Sequence, residues 1–248
     1  MCIRDSDQWS VGKTVILQKD LSLEGMLWEP IPSFSGQFKG NGHTISDLTI
    51  TGQYSPAGLF GIVEEQGSIE SLSVRGVVSV SDSADTTTGG IVGVNHGTLI
   101  NCQFTGVVTG DSEVGGIVGR NESEGTIDHS TARAIVTGKS STGGIAGYNL
   151  GAITGCTNVG SINTEYPEAS LDTDGFTAKM VDYINNKMAA ADNDATNSVT
   201  NVATDTGGIA GRSSGMILTS VNTGTIGYEH VGYNVGLSLI HISEPTRP

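Results

Sequence analysis

The residues able to do chemistry are few and scattered. Cys102 and Cys156 are the thiols of the interior, Cys2 lying in a terminal segment set apart below. Four histidines belong to the interior: His43, His96, His129 and His230. None opens a His-Glu-x-x-His run, which would set two imidazoles on one helical face around zinc. His43 and His96 sit in or beside glycine-rich corners, the setting of solvent-facing turn residues. A polysaccharide lyase or hydrolase on stacked strands would need several carboxylates and a basic residue converging on one face. Here Arg75 and Arg133 share a column but Thr105 separates them and Thr223 follows, while Glu70 and Asp128 alternate with Ile100, Thr154 and Leu218. Calcium-binding turns of the GGxGxD type place Asp after alternating glycines. The corresponding turns here read GGIVGVN, GGIVGRN, GGIAGYN and GGIAGRS. Asn95, Asn121 and Asn149 suit corner geometry instead, since Asn tolerates left-handed backbone. Asp82, Asp85 and Asp111 read as solvated surface. The expectation is no catalytic residue, no cofactor and no metal ligand.

Any such residue would be positioned by an internal repeat, and the repeat is what the sequence states most clearly. The second Gly of each Gly-Gly pair falls at Gly90, Gly116, Gly144 and Gly208, with Gly58 in the variant AGLFG ahead of them. The steps are 26 and 28 residues, then 64, which marks an insertion; Gly208 to Gly236 is again 28. Three apolar columns emerge: Leu59, Ile91, Ile117, Ile145, Ile209; Ile69, Leu99, Ile127, Ile153, Ile217; and Val78, Val108, Val136, Ile162, Ile226. Between them lie glycine columns, Gly61, Gly93, Gly119, Gly147, Gly211 and Gly67, Gly97, Gly125, Gly151, Gly215, read as corners where positive φ is tolerated. Three short strands per unit cannot bury an apolar column alone. Stacked about 4.8 Å apart, each strand pairs with the next coil and like residues lie over like.

The predicted fold is therefore all-β, a right-handed parallel β-helix (β-solenoid) of stacked 26–28-residue rungs. Each buried Ile, Leu or Val contributes roughly 1.5–3 kcal/mol. Residues 12–50 look like earlier, less regular rungs, with Lys19-Asp20 dividing two strand-like runs, Gly40-Asn41-Gly42 a corner, and Ile45, Leu48 and Ile50 facing inward. Cys102 and Cys156 share a column with Leu72, Ser130 and Ser220. The Ser130 rung lies between them, so the thiols stand about 9–10 Å apart, beyond disulfide reach. They are predicted to be small buried filler of low reactivity.

FKGNGHTISDLTI followed by GLFG, then GGIVG and GGIAG with GTLINC and GAITGC, resembles the GLUG-motif repeats of bacterial surface and secreted proteins. These include the repeats that accompany immunoglobulin A-specific metallopeptidases. The resemblance covers most of Asp7 to Gly236, broken at the insertion. It implies an extracellular repeat region, usually part of a longer surface chain, and carries over no activity, because in such peptidases the chemistry belongs to a separate zinc domain. Asn121-Glu122-Ser123 is a formal glycosylation sequon without weight in a bacterial protein.

Between Thr164 and Asp205 the rung pattern stops. Phe176, Met180, Tyr183, Ile184 and Met188 follow helical spacing, and Asp172 or Asp174 can cap the start, which predicts one amphipathic helix over 175–191. Two roles fit such an insertion: a helix laid on the outside of the solenoid over an apolar strip, or a helix that docks a partner. DNDATNSVTNVATD after it reads as a polar return loop.

Both ends are expected to be foreign. MCIRDS can be encoded by a run whose reverse complement encodes Leu237–His241, so 1–6 and 237–248 read as translated sequencing adapter and are set aside. Rungs are then assigned to 7–164 and 205–236, with the insertion at 165–204. A missing leader, membrane span or wall anchor carries no information in such a piece. Net charge is −14 with or without the ends. That acidity argues against nucleic acid, whose binding rests on Lys and Arg, and favours solubility. The expected function is a noncatalytic extracellular repeat segment, a spacer or adhesive surface of a larger bacterial protein. Host or microbial glycans or proteins, and the rest of its own chain, are the expected partners. The alternative is part of a carbohydrate-active β-helix whose site lies at or beyond the edge of these rungs; Tyr54, Tyr148 and Tyr228 are its scattered aromatic candidates for sugar stacking.

Overall fold

A computed structural model describes residues 9–80, 86–164, 204–227 and 235–236. One coil shows the plan. The chain runs through Thr98–Ile100, Gln103–Thr109, Ser112–Gly115 and Val118–Asn121, and then Thr126–Asp128 lies in register on Thr98–Ile100. Each segment of a coil thus belongs to its own sheet. The first sheet has 7 strands, from Thr14–Ile16 to Met216–Leu218; the second has 9, the third 5 and the fourth 6. Every pairing is parallel, so the fold is the expected β-solenoid.

All three apolar columns hold. Ile69, Leu99, Ile127, Ile153 and Ile217 are direct partners along the first sheet. Val78, Val108, Val136, Ile162 and Ile226 are partners along the second. In the remaining column Ile91, Ile117, Ile145 and Ile209 are linked by backbone bonds of 3.0, 3.0 and 2.8 Å, each amide donating to the carbonyl one coil on. Apart from half-buried Ile217, which packs against it, these side chains form one core cluster, closed at its N-terminal end by Trp9, Phe34, Phe38 and Phe60, whose contacting ring centroids lie 5.2–6.4 Å apart. Edge-on and tilted contacts of this kind are the favoured aromatic geometry. Ile45, Leu48 and Ile50 are buried as expected, with Asn41 and Gly42 at positive φ in the corner before them.

A coil has four strands, not the three expected. The extra one, represented by Ser112–Gly115 and Ser140–Gly143, stacks buried Val114 between Thr88 and Thr142, so it presents no continuous aliphatic column for periodicity to find. It also changes the meaning of the glycines. None of the ten glycines in the two columns has positive φ. Backbone packs on several of them instead: a Cβ on Gly97 would land on the Gly67 carbonyl oxygen, one on Gly151 on that of Glu122, and one on Gly147 on the Glu113 carbonyl carbon, while the first Gly of a Gly-Gly pair is as tight, a Cβ on Gly115 landing on the Val118 carbonyl oxygen. The left-handed corner after the first sheet is taken instead by Ser71, Asn101, His129, Gly155 and Thr219, with φ between 45° and 61°.

The helical insertion is not borne out: there is no helix among the described residues, and the expected segment, 175–191, lies outside them, as do both adapter-like ends. On either side of 165–203 the coils resume in register, Ser140 pairing with Thr204 and Ile162 with Ile226. Among the described residues no helix is long and apolar enough to cross a membrane, which says nothing of strand-built spans.

Candidate functional site

The ordered polar groups of this fold point inward. Cys102, Ser130, Cys156 and Ser220 form a buried file at the corner between the first and second sheets. The Cys102 amide donates to Ser130 Oγ at 3.1 Å, the Ser130 amide to Cys156 Sγ at 3.4 Å, and the Cys156 amide to Ser220 Oγ at 3.1 Å. Each small side chain thereby satisfies an amide that the corner removes from the sheet ladders. Burial pushes the Cys102 thiol up to about 12 and the Cys156 thiol up to about 11, the opposite of an activated nucleophile. Both are free and buried, with Ser130 between them, as the column predicted.

A second file was misread from the sequence. Asn95, Asn121 and Asn149 end strands of the fourth sheet, are fully buried and have no positive φ. Asn95 Nδ2 donates to Asn121 Oδ1 at 2.8 Å, Asn121 Nδ2 to Asn149 Oδ1 at 2.8 Å, and Asn149 Nδ2 to Ser213 Oγ at 3.1 Å. Each amide also donates to the carbonyl at the next corner, Gly97, Gly125 or Gly151. An amide side chain is both donor and acceptor, so identical residues stacked at strand spacing satisfy one another. That requirement, rather than backbone tolerance, accounts for Asn at this position.

Among the described residues the histidines and the stacked acids and bases of the first and second sheets do not converge. His43 lies 3.3 Å from Asp20, whose carboxyl the Thr44 amide holds below the usual range, with the imidazole contributing less. His129 is an exposed left-handed corner residue 2.8 Å from Asp128, and His96 is half-buried in a turn. His230 lies outside the described residues. Glu70, Ile100, Asp128, Thr154 and Leu218 are stacked partners, and so are Arg75, Thr105 and Arg133, so acids and bases are interrupted by apolar or hydroxyl residues. Among the described residues no three of His, Cys, Asp and Glu stand close enough to hold a metal ion. The buried carboxylate Asp47 accepts from Ser22 and Ser46 at 2.8 and 2.9 Å, at a bulge with φ 61°.

One outward cluster escaped the sequence reading. Val94, Arg120, Tyr148 and Arg212 are stacked partners along the fourth sheet. The guanidiniums of Arg120 and Arg212 lie 5.1 and 5.3 Å from the Tyr148 ring centroid, within cation–π range. Arg120 also pairs with Glu113 at 2.8 Å and with Glu122 at 2.8 Å; the second contact lies off the line of its N–H and is an ion pair without a hydrogen bond. The signal was present, since Val, Arg, Tyr and Arg occupy one position of GGIVGVN, GGIVGRN, GGIAGYN and GGIAGRS.

The chain is 35% identical over 117 residues to a protein named Halomucin from Haloquadratum walsbyi, covering 44% of this chain and 1% of that protein. It is 29% identical over 137 residues to a protein described as a Gly-rich membrane protein from Evansella cellulosilytica, covering 40% of this chain and 16% of that one. The chain thus spans a small part of the length of either relative. No solved structure matches it. Residues 110–137, one strand each of the third, fourth, first and second sheets in turn, match the family model described as the GLUG motif, so the chain carries a GLUG motif, in keeping with a GLUG-motif repeat region.

Proposed function

We propose that this chain is a noncatalytic repeat segment of a longer bacterial cell-surface protein, offering the outer faces of its solenoid as an adhesive or structural surface. The observation that carries the reading is how the side chains are allotted. Residue-specific contacts repeat from coil to coil on the inside, in the aliphatic, Cys/Ser and Asn files. Outside, a column changes identity at every coil, as in Glu70, Ile100, Asp128, Thr154 and Leu218. A reacting site needs an acid, a base and a binding group at mutual hydrogen-bond distance, whereas a surface that meets long glycans or proteins through many weak contacts does not. The relatives' names, a mucin-like one and a membrane protein, support association with the cell surface.

The test has two arms on the full-length protein. Antibody raised against the solenoid should label intact cells of the source organism, and protease shaving should remove the signal; labelling only after lysis would end the surface reading. A polysaccharide panel assayed for new reducing ends or unsaturated products should show no turnover that depends on residues 9–227. Turnover abolished by a substitution there would instead establish the carbohydrate-active reading.

A further inference from the structure

We propose that the crossing from the second sheet to the third is a port, where the chain leaves the solenoid and re-enters it while the coils stay closed, and that Asn163 is the clasp that closes it. This inference is independent of the surface role. Between Ser68 and Gly236 every other crossing from strand to strand uses two to four residues. This one uses two at Gly110-Asp111 and at Gly138-Lys139, but 81–87, 163–203 and 227–234 in the other coils. Insertions in a stacked repeat collect on one side, where they spare the pairing between coils. Across the longest of them the pairing is intact: Ser140 lies on Thr204, Thr142 on Thr206 and Ile162 on Ile226.

The contacts of Asn163 account for the closure. It follows Ile162 in the place that Thr137 takes one coil earlier. There the Gly110 amide donates to the main-chain carbonyl of Thr137 at 3.0 Å. Asn163 has φ 46°, and its own carbonyl lies against the following coil, where a Cβ on Gly227 would land on it. The Gly138 amide donates instead to Asn163 Oδ1 at 2.9 Å. A side-chain carbonyl thus replaces the main-chain one at the residue where the chain departs. The other half of the same amide reaches the point of return, Asn163 Nδ2 donating to Thr206 Oγ1 at 3.0 Å. Thr142 Oγ1, at the same position one coil earlier, is buried without a hydrogen-bond partner among the described residues. Asn unites what the junction demands: tolerance of left-handed backbone, with an acceptor and a donor on one side chain.

Hydrogen exchange on the intact chain tests both parts. Asn163→Gly keeps the left-handed backbone and removes the clasp. Exchange should rise at least about 10-fold at the Gly138 amide and at the amides of Thr204–Gly207, and less than about 3-fold at Thr98–Ile100 in the first sheet. Thr206→Val, in a column that already takes Val114, removes only the far contact. It should speed exchange at Thr204–Gly207 and leave Gly138 within about 3-fold. Replacing 163–203 by Thr-Gly-Lys, the crossing of the preceding coil, restores a main-chain carbonyl and needs no Asn. Exchange at both places should then stay within about 3-fold of the intact chain. Unchanged exchange in Asn163→Gly or in Thr206→Val would overturn the clasp. Loss of protection throughout the coils, or failure to fold, on replacing 163–203 would overturn the port, because the solenoid would then depend on the segment that leaves it.

Discussion

Asn121→Ala removes the middle of the buried amide file and leaves its ends in place. The wild-type side chain accepts from Asn95 Nδ2 at 2.8 Å and donates to Asn149 Oδ1 at 2.8 Å and to the Gly125 carbonyl at 3.1 Å. Asn95 keeps its bond to the Gly97 carbonyl, but Asn149 Oδ1 loses the donor that reaches it from the coil before. Each lost bond is worth about 1 kcal/mol net, and an acceptor stranded away from water costs more than that, so the expected destabilisation is about 3 kcal/mol. Solenoid stability is a sum of neighbouring-coil contributions, so the effect should be read locally. Hydrogen exchange should accelerate about 100-fold at the amides of Glu122 and Leu150, which donate to the carbonyls of Asn95 and Asn121 across the three coils. Gln103→Ala is the control: among the described residues its amide reaches Thr105 Oγ1 within the same strand, and it should change exchange less than about 3-fold. Equal effects of the two substitutions would refute the file as a source of stability. Asn121→Asp sharpens the point. A carboxylate there cannot donate to Asn149, so burial holds its folded pKa above the unfolded value of about 3.9, and the variant's deficit should grow as pH rises past that value.

Three further outcomes follow from the packing. Ile117→Ala opens a cavity in the central column and should cost about 2–5 kcal/mol in urea unfolding; a loss below about 1 kcal/mol would contradict its burial between Ile91 and Ile145. Gly115→Ala drives a methyl group into the Val118 carbonyl and should lower stability by about 1–3 kcal/mol or prevent folding, and an unchanged melting temperature would show that the third and fourth strands are not so closely apposed. Cys102 and Cys156 should resist alkylation in the native protein at pH 8 and react once unfolded. Their thiols are raised to about 12 and about 11, so the unfolded chain ionises first, and stability should hold up to the unfolded value of about 8.5 and fall as pH rises beyond it. Rapid native labelling would refute the burial of this file.

The aliphatic columns were legible because the same residue type returns at the same phase of every repeat, and parallel stacking converts phase into contact. Ile117 and Ile145 could be placed over one another from spacing alone, and the Cys102, Ser130, Cys156 order followed for the same reason. Ser112–Gly115 and its partners were silent because Val114 meets Thr88 and Thr142 at the same phase, so no hydropathy signal repeats. The glycines were seen but misassigned, since sequence does not distinguish a residue needing positive φ from one needing absence of a Cβ. True left-handed corners were hidden because Ser71, Asn101, His129 and Thr219 share geometry without sharing a residue type. The Asn file needed knowledge of which way the side chain points, and the Arg120, Tyr148 and Arg212 stack required noticing an outward column whose members differ.

The strand-to-strand stacking fixes how the molecule converts sequence into dimensions. Some 26–28 residues are used for each advance of one strand spacing, about 4.8 Å, so the rise is about 0.2 Å per residue against about 1.5 Å in a helix. Each added coil lengthens the molecule by one strand spacing at constant cross-section. A gene that duplicates these units therefore adds outer surface in strict proportion to length, at a high cost in residues for each ångström of reach.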